Sequence, residues 1–243
     1  MIRSNPSGMP EREPPPEKAQ GQRIWAAPDL RHYLLALAGS TPEQNACLEL
    51  QHFPQRIDLS PDWHQILDQM RTQTAVDGVE YWSFIGVTAQ HDRVMVMRDF
   101  IRGRREDVSA EEIALAGRRA LANGITHLIG DIHSHTASLI ERMVLATDHF
   151  SPADLYGLLW SRVAPATKVL VGPNRNLVVC RSKDSELLPP MMNQKTFERL
   201  WEARFRWEYM LGNRWGADFE IGRRHSLVFY EGKPGQPLKE IVP

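Results

Sequence analysis

Apolar runs in the middle of the chain predict a sheet with helices packed around it. Two runs rich in aromatic and β-branched residues, Val79–Thr88 and Arg93–Ile101, predict adjacent antiparallel strands. Thr126–His135 predicts another strand. The segments Lys168–Val171 and Asn176–Arg181 flank a Gly-Pro-Asn-Arg turn, which is typical of a β-hairpin.

Helix start and stop signals lie between and around these strands. Ser109–Asn123 predicts a helix with a capping box and a following glycine at 124. A helix is also predicted from Ser60 to about Thr72. Met192–Leu211 predicts an amphipathic helix that packs on the sheet through Leu200, Trp201, Phe205, Trp207 and Met210. Weaker signals predict helices over Asp29–Leu37 and from Thr41, short strands within Leu48–Leu59, and a last strand over His225–Tyr230.

This order of elements predicts an α+β fold, in which helices form layers on a mixed, mostly antiparallel sheet. We expect residues 1–22, which are rich in proline and charge, to be a disordered tail. Residues 23–74 would form an N-terminal appendage and residues 75–185 the core. Residues 186–243 would form a C-terminal helix and tail packed on that core.

Composition excludes several classes of function. Lysine plus arginine number 29 and aspartate plus glutamate 30, so the net charge of -1 gives no indication of a nucleic-acid partner. The two cysteines, Cys47 and Cys180, are far apart, which excludes a disulfide framework or an all-cysteine zinc site and favours a reducing compartment such as the cytoplasm. The sequence has no apolar run of about 18 residues and no secretory signal, so we expect no membrane association.

The candidate chemistry is concentrated in Gly130–Leu159. His133 and His135 are two residues apart at the end of a predicted strand, so their imidazoles leave the same face. Ser151 then begins a predicted helix, with Asp154 in its first turn. Two histidines, one carboxylate and an open position make a catalytic zinc set. Taken singly, each feature is ordinary: histidines occur on half-buried strands, and Ser-x-x-Asp is a common helix cap.

These residues, together with Glu80 upstream, resemble the JAMM metalloenzymes, the catalytic branch of the Jab/MPN domains. Glu80 heads an apolar strand similar to the family's E-x-x-G strand, with Ser83 in place of the first glycine. His133–His135 matches the family's H-[ST]-H motif, and Ser151 and Asp154 match its S-x-x-D motif. The resemblance covers roughly residues 75–185.

The resemblance implies both an architecture and an activity. The fold would be the cytidine-deaminase-like α/β/α arrangement, with zinc held by His133, His135 and Asp154. Glu80 would act as general base and then general acid, and Ser151 would hydrogen-bond the water or stabilise the oxyanion. The substrate would be a peptide or isopeptide bond next to the C-terminus of a ubiquitin-like modifier or sulfur-carrier protein, and a ThiF-like activating enzyme is a candidate partner.

The chain departs from the family pattern after the second histidine. Fifteen residues, 136–150, separate His135 from Ser151, where the family usually has seven, and Thr136 replaces the usual proline. Such an insertion would lie at the rim of the site, where it could bind substrate or cover the metal. It contains Asp148 and His149, which are reserve ligand candidates. Asp131 could orient the site from behind the ligands, or it could be an ordinary polar residue at a strand end.

Three other interpretations remain open. Asp131–Thr136 also resembles the D-x-H-x-H-T opening of PHP-type phosphoesterases, although few later histidines follow it. A non-catalytic MPN-like scaffold would share the fold but bind partners only. A plain structural domain would carry these polar residues by coincidence.

Overall fold

The computed structural model describes residues 53–88, 94–103, 109–136, 149–160, 166–182, 184–211 and 216–241. Several sequence predictions lie outside these ranges. They are the tail 1–22, the appendage as far as residue 52, residues 137–148 of the insertion including Asp148, and Cys47.

The described residues form nine strands and five helices. The strands are β1 (Arg56–Ile57), β2 (Tyr81–Val87), β3 (Val94–Val96), β4 (Ile101–Arg102), β5 (His127–Ser134), β6 (Thr167–Val171), β7 (Asn176–Arg181), β8 (Leu227–Gly232) and β9 (Leu238–Ile241). The helices are α1 (Pro61–Asp77), α2 (Ala110–Ala122), α3 (Pro152–Leu159), α4 (Gln194–Met210) and α5 (Gly216–His225).

The strands form one sheet in the order β1-β9-β8-β7-β6-β5-β2-β3, with β4 also paired to β2. All neighbours are antiparallel except β5 and β6. A parallel pair needs a crossover connection, and α3 lies in the segment that joins β5 to β6. The predicted α+β class with a mixed, mostly antiparallel sheet is therefore confirmed.

Helix α1 covers one face of the sheet. Its buried side chains Trp63, Ile66, Leu67 and Met70 pack with residues of the central strands, such as Ile132 and Val169. Strand β1 lies at the edge of the same sheet, paired with β9. The described part of the predicted appendage thus shares its core with the rest of the chain.

The other face carries two separate apolar clusters. Helix α2 packs Ala116 and Ala120 against Trp82 and Phe84 of β2. Helices α3, α4 and α5 form the second cluster on β6, β7 and β8, which includes Leu155, Phe197, Trp201, Ile221 and Phe229. The carboxyl end of β5 and the start of α3 meet where His133 faces Asp154.

The structure corrects several element predictions. The run over Arg93–Ile101 forms two short strands, β3 and β4, instead of one. Helix α1 continues to Asp77, five residues beyond the predicted end. Helix α5 and strand β9 have no counterpart in the prediction, and His225 ends α5 instead of beginning a strand.

The face of α4 is also partly different from the prediction. Trp201 and Phe205 are buried as predicted, whereas Leu200, Trp207 and Met210 are 61%, 55% and 67% exposed. The reason is that α4 packs its buried side chains with α3 and α5, which together cover only one side of it.

None of the helices in the described part of the chain has the length and apolarity that a membrane crossing requires.

Candidate metal centre

The two histidines of the His-Ser-His motif lie at the carboxyl end of β5. His133 is the second-last residue of the strand and His135 follows it, so both rings leave the same face, with centroids 5.2 Å apart. His133 lies between its register partners Trp82 of β2 and Leu170 of β6. Its side chain is 7% exposed, compared with 18% for His135.

The carboxylate comes from the first turn of α3. Ser151 is the N-cap, and its hydroxyl accepts a hydrogen bond from the Asp154 backbone N–H at 3.2 Å. Asp154 Oδ2 in turn accepts from the Ser151 backbone N–H and hydroxyl, both at 2.8 Å. This capping box holds the carboxylate in one orientation, facing the end of β5.

Asp154 meets both histidines. Its Oδ1 lies 3.2 Å from Nε2 of His133, and its Oδ2 lies 3.7 Å from Nε2 of His135. One ligand atom from each of the three residues lies within 4.8 Å of the others. The predicted residues His133, His135 and Asp154 are therefore brought together, across the long insertion.

These residues fit a zinc ion. Tetrahedral bonds of about 2.0 Å place neighbouring ligand atoms about 3.3 Å apart. The distance of 3.2 Å from His133 Nε2 to Asp154 Oδ1 agrees with this separation, whereas the 3.7 Å of His135 Nε2 is measured to the other oxygen, Oδ2. Nε2 of His133 is buried and, among the described residues, has no hydrogen-bond partner despite its nearness to the Asp154 carboxylate. A cation shared between nitrogen and carboxylate would account for that arrangement.

The charges of His133 and its neighbouring carboxylates affect one another strongly. Burial acts to lower the pKa of His133, but the carboxylates of Asp154 and Asp131 outweigh burial and raise it to about 10. Burial acts to raise the pKa of Asp154, yet His133 and His135 hold it well below its usual range. A metal would therefore have to displace a proton from His133.

Glu80 is brought to the same end of the sheet by strand pairing. In the antiparallel register of β2 and β5, Trp82 lies opposite His133, and continuing this register by two residues places Glu80 opposite His135. Opposed residues share a face, so this continued register would place Glu80 on the side of the sheet that carries both histidines. The Glu80 carbonyl accepts a hydrogen bond from the Gly103 N–H at 2.8 Å, which fixes its backbone.

Comparisons with protein-family models, with curated proteins and with solved structures find no match to this chain. The residues of the site and their geometry are therefore what indicates a metal-binding group.

Ser134, between the two histidines, has a role that sequence reasoning missed. Its side chain leaves the opposite face of β5, where the hydroxyl accepts a hydrogen bond from the Tyr81 N–H at 2.9 Å and pairs with the Thr74 hydroxyl. It joins the end of α1 and the start of β2 to β5. Because Tyr81 directly follows Glu80, this hydrogen bond also connects the start of β2 next to Glu80 to the strand that carries the histidines.

Lys168 was also missed as a part of the site, because the sequence places it only at the start of a hairpin strand. It is buried on β6, and its Nζ donates to Asp131 Oδ2 at 2.9 Å. Burial acts to lower the pKa of Lys168, but Asp131 and then Asp154 raise it. A lysine inside an otherwise apolar strand was the available signal.

The reserve ligands do not join the group of ligand atoms in the described residues. His149 is buried and its Nδ1 lies 3.1 Å from Oδ2 of Asp218 on α5. Asp148 lies outside the described residues. The choice of Asp154 over Asp148 as ligand therefore stays a prediction.

Proposed function

We propose that this protein is a zinc-dependent hydrolase of the JAMM type, which cleaves peptide or isopeptide bonds next to the C-terminus of a ubiquitin-like modifier or sulfur-carrier protein. The observation that carries the proposal is the group formed by His133, His135 and Asp154 across the insertion. Three protein ligands with one position left open distinguish catalytic zinc sites from structural ones.

Zinc held by these residues would act as a Lewis acid and lower the pKa of a water molecule toward neutrality. Glu80, on the same face as the histidines, would take the proton from that water and deliver it to the leaving amine. Phe150, whose ring centroid lies 6.3 Å from that of His133, forms an apolar wall beside the ligands.

Ser151 has a different role in this structure from the one that the resemblance implies. Its hydroxyl donates to Asp154 Oδ2, so in this structure it orients a ligand. Stabilisation of an oxyanion would require the hydroxyl to turn away from Asp154 when substrate binds. We therefore assign Ser151 first to holding the Asp154 carboxylate.

The topology supports the choice of family and substrate. A mostly antiparallel sheet with α1 on one face and four helices on the other is compatible with the cytidine-deaminase-like α/β/α architecture. In the described sheet β4 pairs with Tyr81 and Trp82 on the outer side of β2, level with the histidines, and an extended modifier tail can add to such a sheet edge. The cytoplasm as location, and a ThiF-like activating enzyme as partner, belong to the same proposal.

The first test is the zinc content of the purified protein after expression in zinc-supplemented medium. We expect about one zinc per chain in the wild type and none in His135→Ala or Asp154→Ala. His64→Ala, which removes a histidine of α1 outside the ligand group, is the matched control and should retain the metal. A wild-type protein without zinc would overturn the hydrolase proposal and favour an MPN-like scaffold.

The second test is cleavage of a linear ubiquitin fusion and of a fusion to a small β-grasp sulfur-carrier protein. We expect Glu80→Gln to bind zinc as the wild type does and to be inactive, because it lacks the base but keeps the ligands. Zinc-loaded wild type that leaves both fusions intact would argue against the substrate class.

The PHP-type phosphoesterase receives less support. That fold is a barrel with several further metal ligands. Here the described strands form an open sheet, and the described residues include a single group of three possible ligands.

A further inference from the structure

A buried ion pair lies directly behind the candidate metal centre. Lys168 of β6 and Asp131 of β5 are register partners on the two parallel strands, and they are 8% and 2% exposed. Burying two charges is costly, and an apolar pair of similar volume is often as stable, so the pair is not explained by stability alone.

The two carboxylate oxygens of Asp131 face different residues, Lys168 and His133. Its Oδ2 accepts from Lys168 at 2.9 Å, and its Oδ1 lies 3.4 Å from Nδ1 of His133. Within the part of the chain that the structure describes, neither Oδ1 nor that Nδ1 has a hydrogen-bond partner, and both atoms are buried. The other nitrogen of the ring, Nε2, lies 3.2 Å from Asp154 Oδ1 on the metal side.

The four residues thus form a chain of contacts, from Lys168 to Asp131, from Asp131 to His133 and from His133 to Asp154. An imidazole can offer Nε2 to a metal only if that nitrogen carries a lone pair. A carboxylate that accepts a hydrogen bond from Nδ1–H fixes this tautomer and the ring orientation. Lys168 restrains the carboxylate, because it holds Oδ2 and leaves only Oδ1 free to turn toward His133.

We infer that Asp131 and Lys168 are positioning residues for the metal: Asp131 presents Nε2 of His133 to the ion, and Lys168 acts through Asp131 by preventing its carboxylate from rotating. The inference rests on the proposed function, since it concerns the same metal centre.

The test is zinc affinity, measured by competition with a chromophoric chelator, in Asp131→Asn and Lys168→Met. We expect both variants to bind zinc about 10- to 100-fold more weakly than the wild type. The result for Lys168→Met is decisive, because simple charge predicts the opposite: removal of a cation next to the site should strengthen the binding of a dication. Unchanged or tighter binding by Lys168→Met would overturn the inference.

The double variant Asp131→Asn/Lys168→Met separates the roles of the two residues and leaves no buried unpaired charge, so it remains informative if Lys168→Met alone fails to fold. If Lys168 acts through Asp131, its removal causes no further loss of zinc affinity once Asp131 is replaced, so the double variant binds zinc no more weakly than Asp131→Asn and still more weakly than the wild type. Affinity at the wild-type level in the double variant would contradict the inference.

Asp218→Asn is the matched control. It removes a buried carboxylate that also contacts a histidine, His149, which is not in the ligand group. We expect it to change the urea midpoint and leave zinc affinity within about twofold, since carboxylates outside the ligand shell matter only where they orient a ligand.

Wild type that binds no zinc would instead refute the proposed function. Failure of the proposed function is therefore distinguishable from failure of the inference about Asp131 and Lys168. The absorption spectrum of the cobalt-substituted protein gives a second readout: it should change in Asp131→Asn and stay as in the wild type in Asp218→Asn.

Discussion

The two histidines of the candidate centre differ in burial and in their polar neighbours. His133 is nearly enclosed, with Asp131 on its Nδ1 side and Asp154 on its Nε2 side. His135 is more exposed and meets Asp154 alone among these carboxylates. The protonation of His133 therefore depends on carboxylates on both sides of its ring.

This difference predicts a pH dependence for the metal-free protein. The pKa of His133 is raised from 6.5 to about 10 on folding, so its contribution to stability is full below pH 6.5 and is lost as the pH rises through 10. Urea midpoints measured in chelator should fall between pH 6.5 and pH 10. Zinc-saturated protein should not show this fall, because its His133 is already neutral.

Asp154→Asn is the control for that dependence. It removes the carboxylate that raises the pKa of His133 most, so the decrease in midpoint should be shallower in the variant. If the urea midpoint falls equally steeply with pH in the wild type and in Asp154→Asn, a group other than His133 causes the fall.

At the scale of single elements, two helices begin with the same cap but in different surroundings. Helix α2 begins with the capping box of Ser109 and Glu112, and α3 with that of Ser151 and Asp154. In both boxes the serine hydroxyl accepts from the N3 backbone and donates to the N3 carboxylate. Only the second carboxylate belongs to the candidate metal centre.

This pair allows capping to be separated from metal binding. Ser109→Ala and Ser151→Ala should each lower the free energy of unfolding by about 1 kcal/mol, the usual value of a lost N-cap. Chelator competition should show weaker zinc binding only in Ser151→Ala, because only that variant releases a ligand. If both variants bind zinc as the wild type does, Ser151 has a structural role alone.

At the scale of the whole molecule, the parallel contact of β5 with β6 connects the strand that carries the histidines to the hairpin that carries Lys168. The two strands approach closely at Gly130. A Cβ added there would clash with Thr167 Cγ2 and lie 2.8 Å from the Thr167 carbonyl oxygen, which is a backbone atom and cannot move aside easily.

Gly130→Ala should therefore destabilise the fold by about 3 kcal/mol, at the upper end of the usual cost of overpacking. Gly157→Ala in α3 is the matched control, because its Cβ would lie 3.5 Å from the nearest atom, an ordinary contact, and alanine is favoured in helices. Urea unfolding should show a large loss for the first variant and none for the second. Similar urea midpoints for the two variants would mean that β5 and β6 move apart around the added methyl group without loss of stability.

Local patterns predicted much of this molecule. The helices that begin at Ser60, Ser109 and Ser151, strand β5 and the hairpin of β6 and β7 all follow signals within a few residues, and the structure confirms them. Helix α5, strand β9 and the break between β3 and β4 were missed. Their formation depends on partners distant in the chain, such as β8 for β9 and β2 for both β3 and β4.

The sequence by itself determined the ligand types and their local presentation: the spacing of His133 and His135 places both on one face of a strand, and the cap at Ser151 orients Asp154. Only the tertiary structure decided that these groups meet across the insertion, because strand pairing and the packing of α3 set distances that sequence separation does not. The same holds for the contact of Lys168 with Asp131 and for that of the Ser134 hydroxyl with the Tyr81 N–H, since both join strands that are neighbours only in the folded sheet.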